Sequence, residues 1–328
     1  VYAIFEYLIV VGKTPWVLIF GHGGNMHLLF KTLVGSRAIG THTEESDEDF
    51  SSVMMPPIDG MLGLGYKETI VSTSETEDNT IHTFQKFIML AMKANPSILD
   101  ILFSPEKHWV EHKPLWLRVH GKRYLFLSKA VADTYVGYAR SQLKRIRTHR
   151  EWLLMPPKNK PERERFGLPG HSTIPGEFRE AVLSIPQKYL APEVQEMARG
   201  EKGFEMAMRD WNQYENWKKT RNPERAELEA KYGYDTKHAM HLFRLLIQGR
   251  EILETCELRV DRTGIDADKL KEVRSGTLTY DDLMAEVDKM RDAIERAREE
   301  SVLPDRPNRE AVNALCVEVM KEYLTNGL

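Results

Sequence analysis

Cysteine is almost absent from this chain: among 328 residues only Cys256 and Cys316 occur, far apart. Two such residues give neither a disulfide framework nor the paired spacing of a cysteine metal site, which points to a reducing, cytoplasmic setting. Long apolar runs are missing as well. The N-terminal segment Tyr7-Leu8-Ile9-Val10-Val11-Gly12 follows Glu6 and is far shorter than the ~18 residues of a membrane span. It lacks the basic flank of a secretory signal, so it is expected to be a core strand or short helix, with no membrane partner. Charge of one sign is not in excess either. With 46 basic and 49 acidic residues the net charge is −3, so any contact with nucleic acid must come from a local patch.

Several familiar signatures fail. Gly12-Lys13-Thr14 ends like a phosphate-binding loop, but Tyr7 stands where its first glycine belongs. Gly21-His22-Gly23-Gly24 lacks the spacing of a dinucleotide fold. The histidines are scattered with no zinc-ligand spacing, and His108 and His112 lack the intervening glutamate of a zinc protease helix.

What is present is concentrated in residues 35–49. A strand-like run from Leu28 to Val34 leads into Gly35-Ser36, and Asp47 and Asp49 follow. Carboxylates at i and i+2 of an extended chain project to one side. Hard divalent cations take oxygen ligands, and paired carboxylates beside a phosphate-binding turn are how two-metal phosphoryl-transfer sites are built. A glycine in that turn lets backbone N–H groups approach phosphate closely. The plainer alternative is a solvated acidic run, Glu44 to Asp49, beside an ordinary tight turn.

Gly35-Ser36 followed by Asp47-Glu48-Asp49 resembles the DNA polymerase β-like nucleotidyltransferase superfamily. The longer string to Val53 is similar to its RNA-ligase-associated, RNA-repair subgroup of phage and bacterial type. Three later segments extend the resemblance over roughly residues 28–325: Asp78 to His82 through Lys93-Ala94-Asn95-Pro96, Gln142 to Trp152, and Tyr234 to His238 through Arg244. Glu48 departs from the pattern, which usually has an apolar residue between the aspartates, and the first 27 residues carry none of the likeness.

The resemblance implies an α+β protein: a nucleotidyltransferase core with a mixed sheet over residues 1–127, followed by an all-helical domain over 128–328 that closes the active-site cleft. It implies attack of an acceptor hydroxyl, on RNA or tRNA, at the α-phosphate of a nucleoside triphosphate such as ATP, with release of pyrophosphate. Two Mg²⁺ ions, or Mn²⁺, would be held by Asp47, Asp49 and a third carboxylate. Asp78 is the candidate for that third role, with Glu75 and Glu77 as competitors and a helix N-cap as its structural alternative. Gly35, Ser36 and Arg37 would bind the triphosphate. Transfer to a protein or small molecule, or a non-catalytic nucleotide-binding module, are the alternative functions.

Periodicity completes the reading. The apolar positions Ile81, Phe84, Phe87, Ile88 and Ala91 predict a helix over 81–93, stopped by Asn95-Pro96. Further helices are expected over 128–154 and near 176–185, 191–219, 235–255, 279–299 and 308–324. Lys237, His241, Arg244 and Gln248 make one polar stripe on an otherwise apolar helix, so its charges need anionic partners. Those partners are either triphosphate, the expectation favoured by the resemblance, or acidic side chains. Arg140, Lys144, Arg147 and His149-Arg150 line the long helix after residue 128, as a solvated face or a nucleic-acid contact.

Overall fold

The computed structural model describes residues 26–57, 70–73, 78–171, 180, 184–186, 191–221 and 223–326. The expected apolar element at residues 7–12, the competing carboxylates Glu75 and Glu77, and nearly all of the helix near 176–185 lie outside the described residues.

The fold is α+β. A five-stranded mixed sheet is built from β1 (His27–Val34), β2 (Asp49–Met55), β3 (Ile70–Thr73), β4 (Asp78–Thr83) and β5 (Trp109–His112), in the order β3-β4-β2-β1-β5. The β2–β4 pair is parallel and the other pairs are antiparallel. Helices follow as α1 (Gly35–Ile39), α2 (Phe84–Met92), α3 (Pro96–Leu102), α4 (Pro114–Gly121), α5 (Ala130–Leu154), α6 (Pro192–Thr220), α7 (Pro223–Tyr232), α8 (Thr236–Thr255), α9 (Ala267–Arg274), α10 (Tyr280–Glu300) and α11 (Arg309–Asn326). Among the described residues, no helix is long and apolar enough to cross a membrane.

The chain divides into two compact units. The first contains residues 1–140, 241–272 and 284–328, and the second contains 141–240 and 273–283, so the unit boundaries fall within α5, α8, α9 and α10. The stretch beyond residue 127 is shared between both.

In the first unit the sheet is covered by aromatic side chains. Phe30 of β1 stacks on Trp116 of α4 at 4.0 Å, and Phe87 of α2 meets the same indole edge-on at 5.7 Å. Phe30, Phe87 and Trp116 are fully buried, and aromatic pairs at these separations add to the area they remove from water. Thr32 and Ser104 join their hydroxyls at 2.6 Å, satisfying two buried polar groups. The last helix returns to this unit, where Arg118 of α4 pairs with Glu318 and Glu322, and the buried Tyr323 hydroxyl donates to the carbonyl of Pro56.

The segment from Asp78 to Asn95 differs from its periodicity. Residues 78–83 extend the sheet as β4, and the helix begins only at Phe84, with Thr83 at its N-cap position. Asn95-Pro96 stops α2 and also starts α3: the Asn95 side chain accepts from the Ile98 amide at 3.2 Å, and proline suits the first helical turn, where its missing N–H costs nothing.

Candidate active site

The local chain around residue 35 is shaped by two glycines. Gly35 has φ of 71° and opens α1; Gly40 has φ of 85° and closes it. At the closing end the amide of Thr41 reaches the carbonyl of Ser36 at 2.9 Å and that of Gly40 reaches Arg37 at 3.3 Å, a Schellman arrangement that needs a left-handed residue. Arg37 donates from Nε to the carbonyl of Ser46 at 3.0 Å, and the Ser46 hydroxyl accepts from the amide of Thr43 at 2.9 Å. The arginine thus fastens the loop that leads to Asp47.

Asp47 is exposed in that loop, two residues ahead of the strand, and Asp49 is the half-buried first residue of β2. The β1–β2 register pairs Val34 with Asp49, so the end of one strand and the start of the next meet beside the turn. A Cβ built on Gly35 would collide with the Asp49 carboxylate, lying 3.3 Å from its Cγ and in closer contact with Oδ2. Glycine is therefore required at position 35 twice, by its backbone angle and by the carboxylate against it. On the other side of β2, the parallel register pairs Asp49 with Asp78, the first residue of β4. Asp78 precedes α2 by six residues and does not cap it, which removes the structural alternative for this aspartate. The turn, Asp47, Asp49 and Asp78 belong to one end of the sheet.

Residues 20–154 match the profile of the RNA repair pathway DNA polymerase beta family. This segment is similar to that family. The polymerase-β-like segment, of nucleotidyltransferase type, contains the whole of the sheet end just described. An uncharacterized 38.9 kDa protein of Enterobacteria phage T4, from the nrdC-mobD intergenic region, is 30% identical over 128 residues. The match spans 36% of this chain and 38% of the phage protein. No solved structure matches the chain.

Distant parts of the first unit hold the polymerase-β-like turn in place. The amide of Arg262 donates to the carbonyl of Ile39 at 2.9 Å, capping α1 from outside, and a Cβ on Gly40 would strike the Thr263 hydroxyl. Arg262 is 2% exposed and is itself gripped by Asp266, at 2.6 and 2.8 Å, and by Glu251 at 2.8 Å. Neighbouring Asp261 is acidified: burial alone would raise its carboxyl, but hydrogen bonds from Lys107 and Thr263 hold it down to about 2.

In the polar stripe of α8, one buried charge has an acidic side chain as its partner. Arg244 is buried and donates from Nη1 to Asp100 of α3 at 2.6 Å, and Gln248 reaches the other oxygen of the same carboxylate at 3.2 Å. Arg244 Nη2 also lies 3.2 Å from His241 Nδ1. The anion that a buried guanidinium demands comes from within the fold. Lys237 is exposed and His241 half-buried. On α5, Arg140, Lys144 and Arg147 are exposed, while His149 and Arg150 turn inward.

One cluster escaped the sequence reading, which found no metal-ligand grouping among the histidines. His149, Asp235 and His238, all in the second unit, bring their ligand-type atoms within 4.8 Å of one another. Only the His238–Asp235 spacing hinted at it; His149 arrives from a distant helix.

Proposed function

We propose that the protein transfers a nucleoside monophosphate from a nucleoside triphosphate to an acceptor hydroxyl on RNA, releasing pyrophosphate. The observation that carries this reading is the meeting of the Gly35 turn with Asp49 at the sheet end where Asp78 enters in register. Asp47, Asp49 and Asp78 offer a carboxylate donor set suited to two Mg²⁺ ions, or Mn²⁺, and not to softer metals. The missing Cβ at Gly35 leaves the room that a phosphate oxygen and a metal-bound carboxylate would share. Bound there, such ions neutralise charge on the triphosphate and acidify the acceptor hydroxyl.

The chain's own groups do the positioning. Gly35 and Ser36 orient the triphosphate through backbone N–H groups and the serine hydroxyl. Arg37 holds the Thr43–Ser46 loop and through it the location of Asp47. Asp78 receives the proton of the acceptor hydroxyl as its oxygen bonds to the α-phosphorus and the bond to the bridging oxygen of the β-phosphate breaks. Catalysis of this kind is mainly alignment and electrostatics. RNA is favoured as acceptor by the RNA-repair description of the matching family and by exposed Lys144 and Arg147, which suit a phosphate backbone.

The test is incubation of the full chain with each α-labelled nucleoside triphosphate, Mg²⁺ or Mn²⁺, and cellular RNA or protein. Label that is sensitive to ribonuclease and absent with the Asp47→Ala/Asp49→Ala variant supports the reading. Label on protein would replace RNA as the acceptor, and equal labelling by the variant would remove the metal-site assignment.

A further inference from the structure

The second unit contains a second, chemically different ligand set. Asp235 immediately precedes α8, His238 lies in its first turn, and His149 projects from the later part of α5. Asp235 is 2% exposed, and its two oxygens have separate tasks. Oδ1 accepts from the amide of His238 at 2.9 Å, capping α8. Oδ2 lies 3.6 Å from His238 Nε2 and 3.9 Å from His149 Nδ1. One carboxylate oxygen therefore faces two imidazole nitrogens, and ligand-type atoms of the three residues lie within 4.8 Å of one another.

The framework around these atoms is already fixed. Arg150, next to His149 on α5, donates to the carbonyl of Gly233 at 2.8 Å and covers the ring of Tyr280 at 4.3 Å. Tyr234 is fully buried and its hydroxyl donates to the carbonyl of Leu278 at 2.8 Å. These contacts pin the turn that carries Asp235 to the helix that carries His149. Trp152 and Trp217 flank the His149 ring, each with centroids 5.5 Å away, so one side is apolar. The two histidine side chains keep 17% and 18% exposure, enough of an opening to admit an ion. Glu229, paired with Arg221, adjoins Asp235, and burial together with the Asp235 charge raises the Glu229 carboxyl.

We infer that His149, Asp235 and His238 form a binding site for a borderline divalent transition ion of the Zn²⁺ class, strapping the end of α5 to the start of α8 within the second unit. Two imidazoles and a carboxylate suit such ions, which bind these ligands at about 2.0–2.2 Å. Tetrahedral ligation at those lengths separates donor atoms by about 3.4 Å, so the Asp235–histidine distances need to close by only a few tenths of an ångström. Hard Mg²⁺ prefers all-oxygen surroundings and would bind elsewhere. Three protein ligands leave one position for water.

The experiment is equilibrium dialysis of the chelator-stripped full chain against Zn²⁺ with excess Mg²⁺ present, followed by metal analysis. One Zn²⁺ per chain is expected, with affinity weakened at least tenfold in His149→Gln and in His238→Gln, and unchanged in Asp47→Asn/Asp49→Asn. Co²⁺ provides a readout on the unaltered protein: it should quench tryptophan emission, because Trp152 and Trp217 adjoin His149, and Zn²⁺ should reverse the quenching. Asp235→Asn keeps the helix cap while removing the charge, and should also weaken uptake. No Zn²⁺ uptake, uptake indifferent to both histidine variants, or uptake lost in the Asp47/Asp49 variant would each overturn the site.

Discussion

Asp49 and Asp78 stand opposite each other in the register of two parallel strands, each the first residue of its own. Residues that are paired this way in a sheet belong to the same face. Replacing either by asparagine keeps the size and removes the charge needed for divalent cations. Both variants should retain the wild-type melting temperature within a few degrees, and nucleotidyl transfer should fall to the level without protein. If Asp78→Asn retains full activity, another carboxylate serves as the third ligand.

Gly35→Ala should be far more harmful to activity than its single added methyl suggests. The left-handed backbone angle costs about 1–2 kcal/mol for a residue with a Cβ, and that Cβ would displace the Asp49 carboxylate. Misplacing a reacting group by about 1 Å costs on the order of 100-fold in rate. A kcat loss of that order with a small change in denaturation midpoint is the expected pair of results. A large stability loss with normal specific activity would contradict it.

Asp100 and Arg244 predict the reverse pattern. Asp100→Ala leaves a buried guanidinium without its carboxylate, which costs about 3–5 kcal/mol, and urea denaturation should register most of it. The double variant Asp100→Leu/Arg244→Met should recover part of that loss. Triphosphate affinity of the folded fraction should be unchanged in both variants and in Arg244→Met alone; a KM for the nucleotide that rises in Arg244→Met would restore this arginine to the phosphate site.

His82 makes the stability depend on acid. Burial pushes its imidazole down to about 4, because the charged form is poorly solvated, and its buried Nδ1 has no hydrogen-bond partner. The unfolded chain takes up this proton near pH 6.5 and the folded one only near pH 4, so stability falls as pH drops through that window. Full development of the difference corresponds to about 3 kcal/mol. Denaturation midpoints at pH 7 and pH 5 should differ less in His82→Leu than in the wild type.

The site's local pieces were legible because they are close in the chain. Gly35, Ser36, Asp47 and Asp49 fall within fifteen residues, and their types and spacing carry the resemblance. The long helices α5, α6, α8, α10 and α11 were also readable, from apolar stripes that repeat over several turns. Short elements were not. Leu115 to Val119 reads as an apolar run of either kind, and it is the proline at the first turn, Pro114, that makes it helical. Ile81 and His82 fit a helical pattern, yet strand pairing with Ser52 and Val53 claims them. Partners chosen across the fold left no local trace at all: Asp100 for Arg244, His149 for Asp235, and Arg262 for Ile39.

The bond from Arg262 to Ile39 bears on where the gene can be cut. A fragment ending at residue 154 would keep every carboxylate and both glycines of the proposed centre, and all of the residues that match the family profile. It would nonetheless leave the Ile39 carbonyl unanswered and remove the Thr263 wall behind Gly40. The turn is consequently held by a discontinuous assembly, and any transplant of the N-terminal sheet into another scaffold must bring the Arg262–Thr263 buttress with it or supply a substitute.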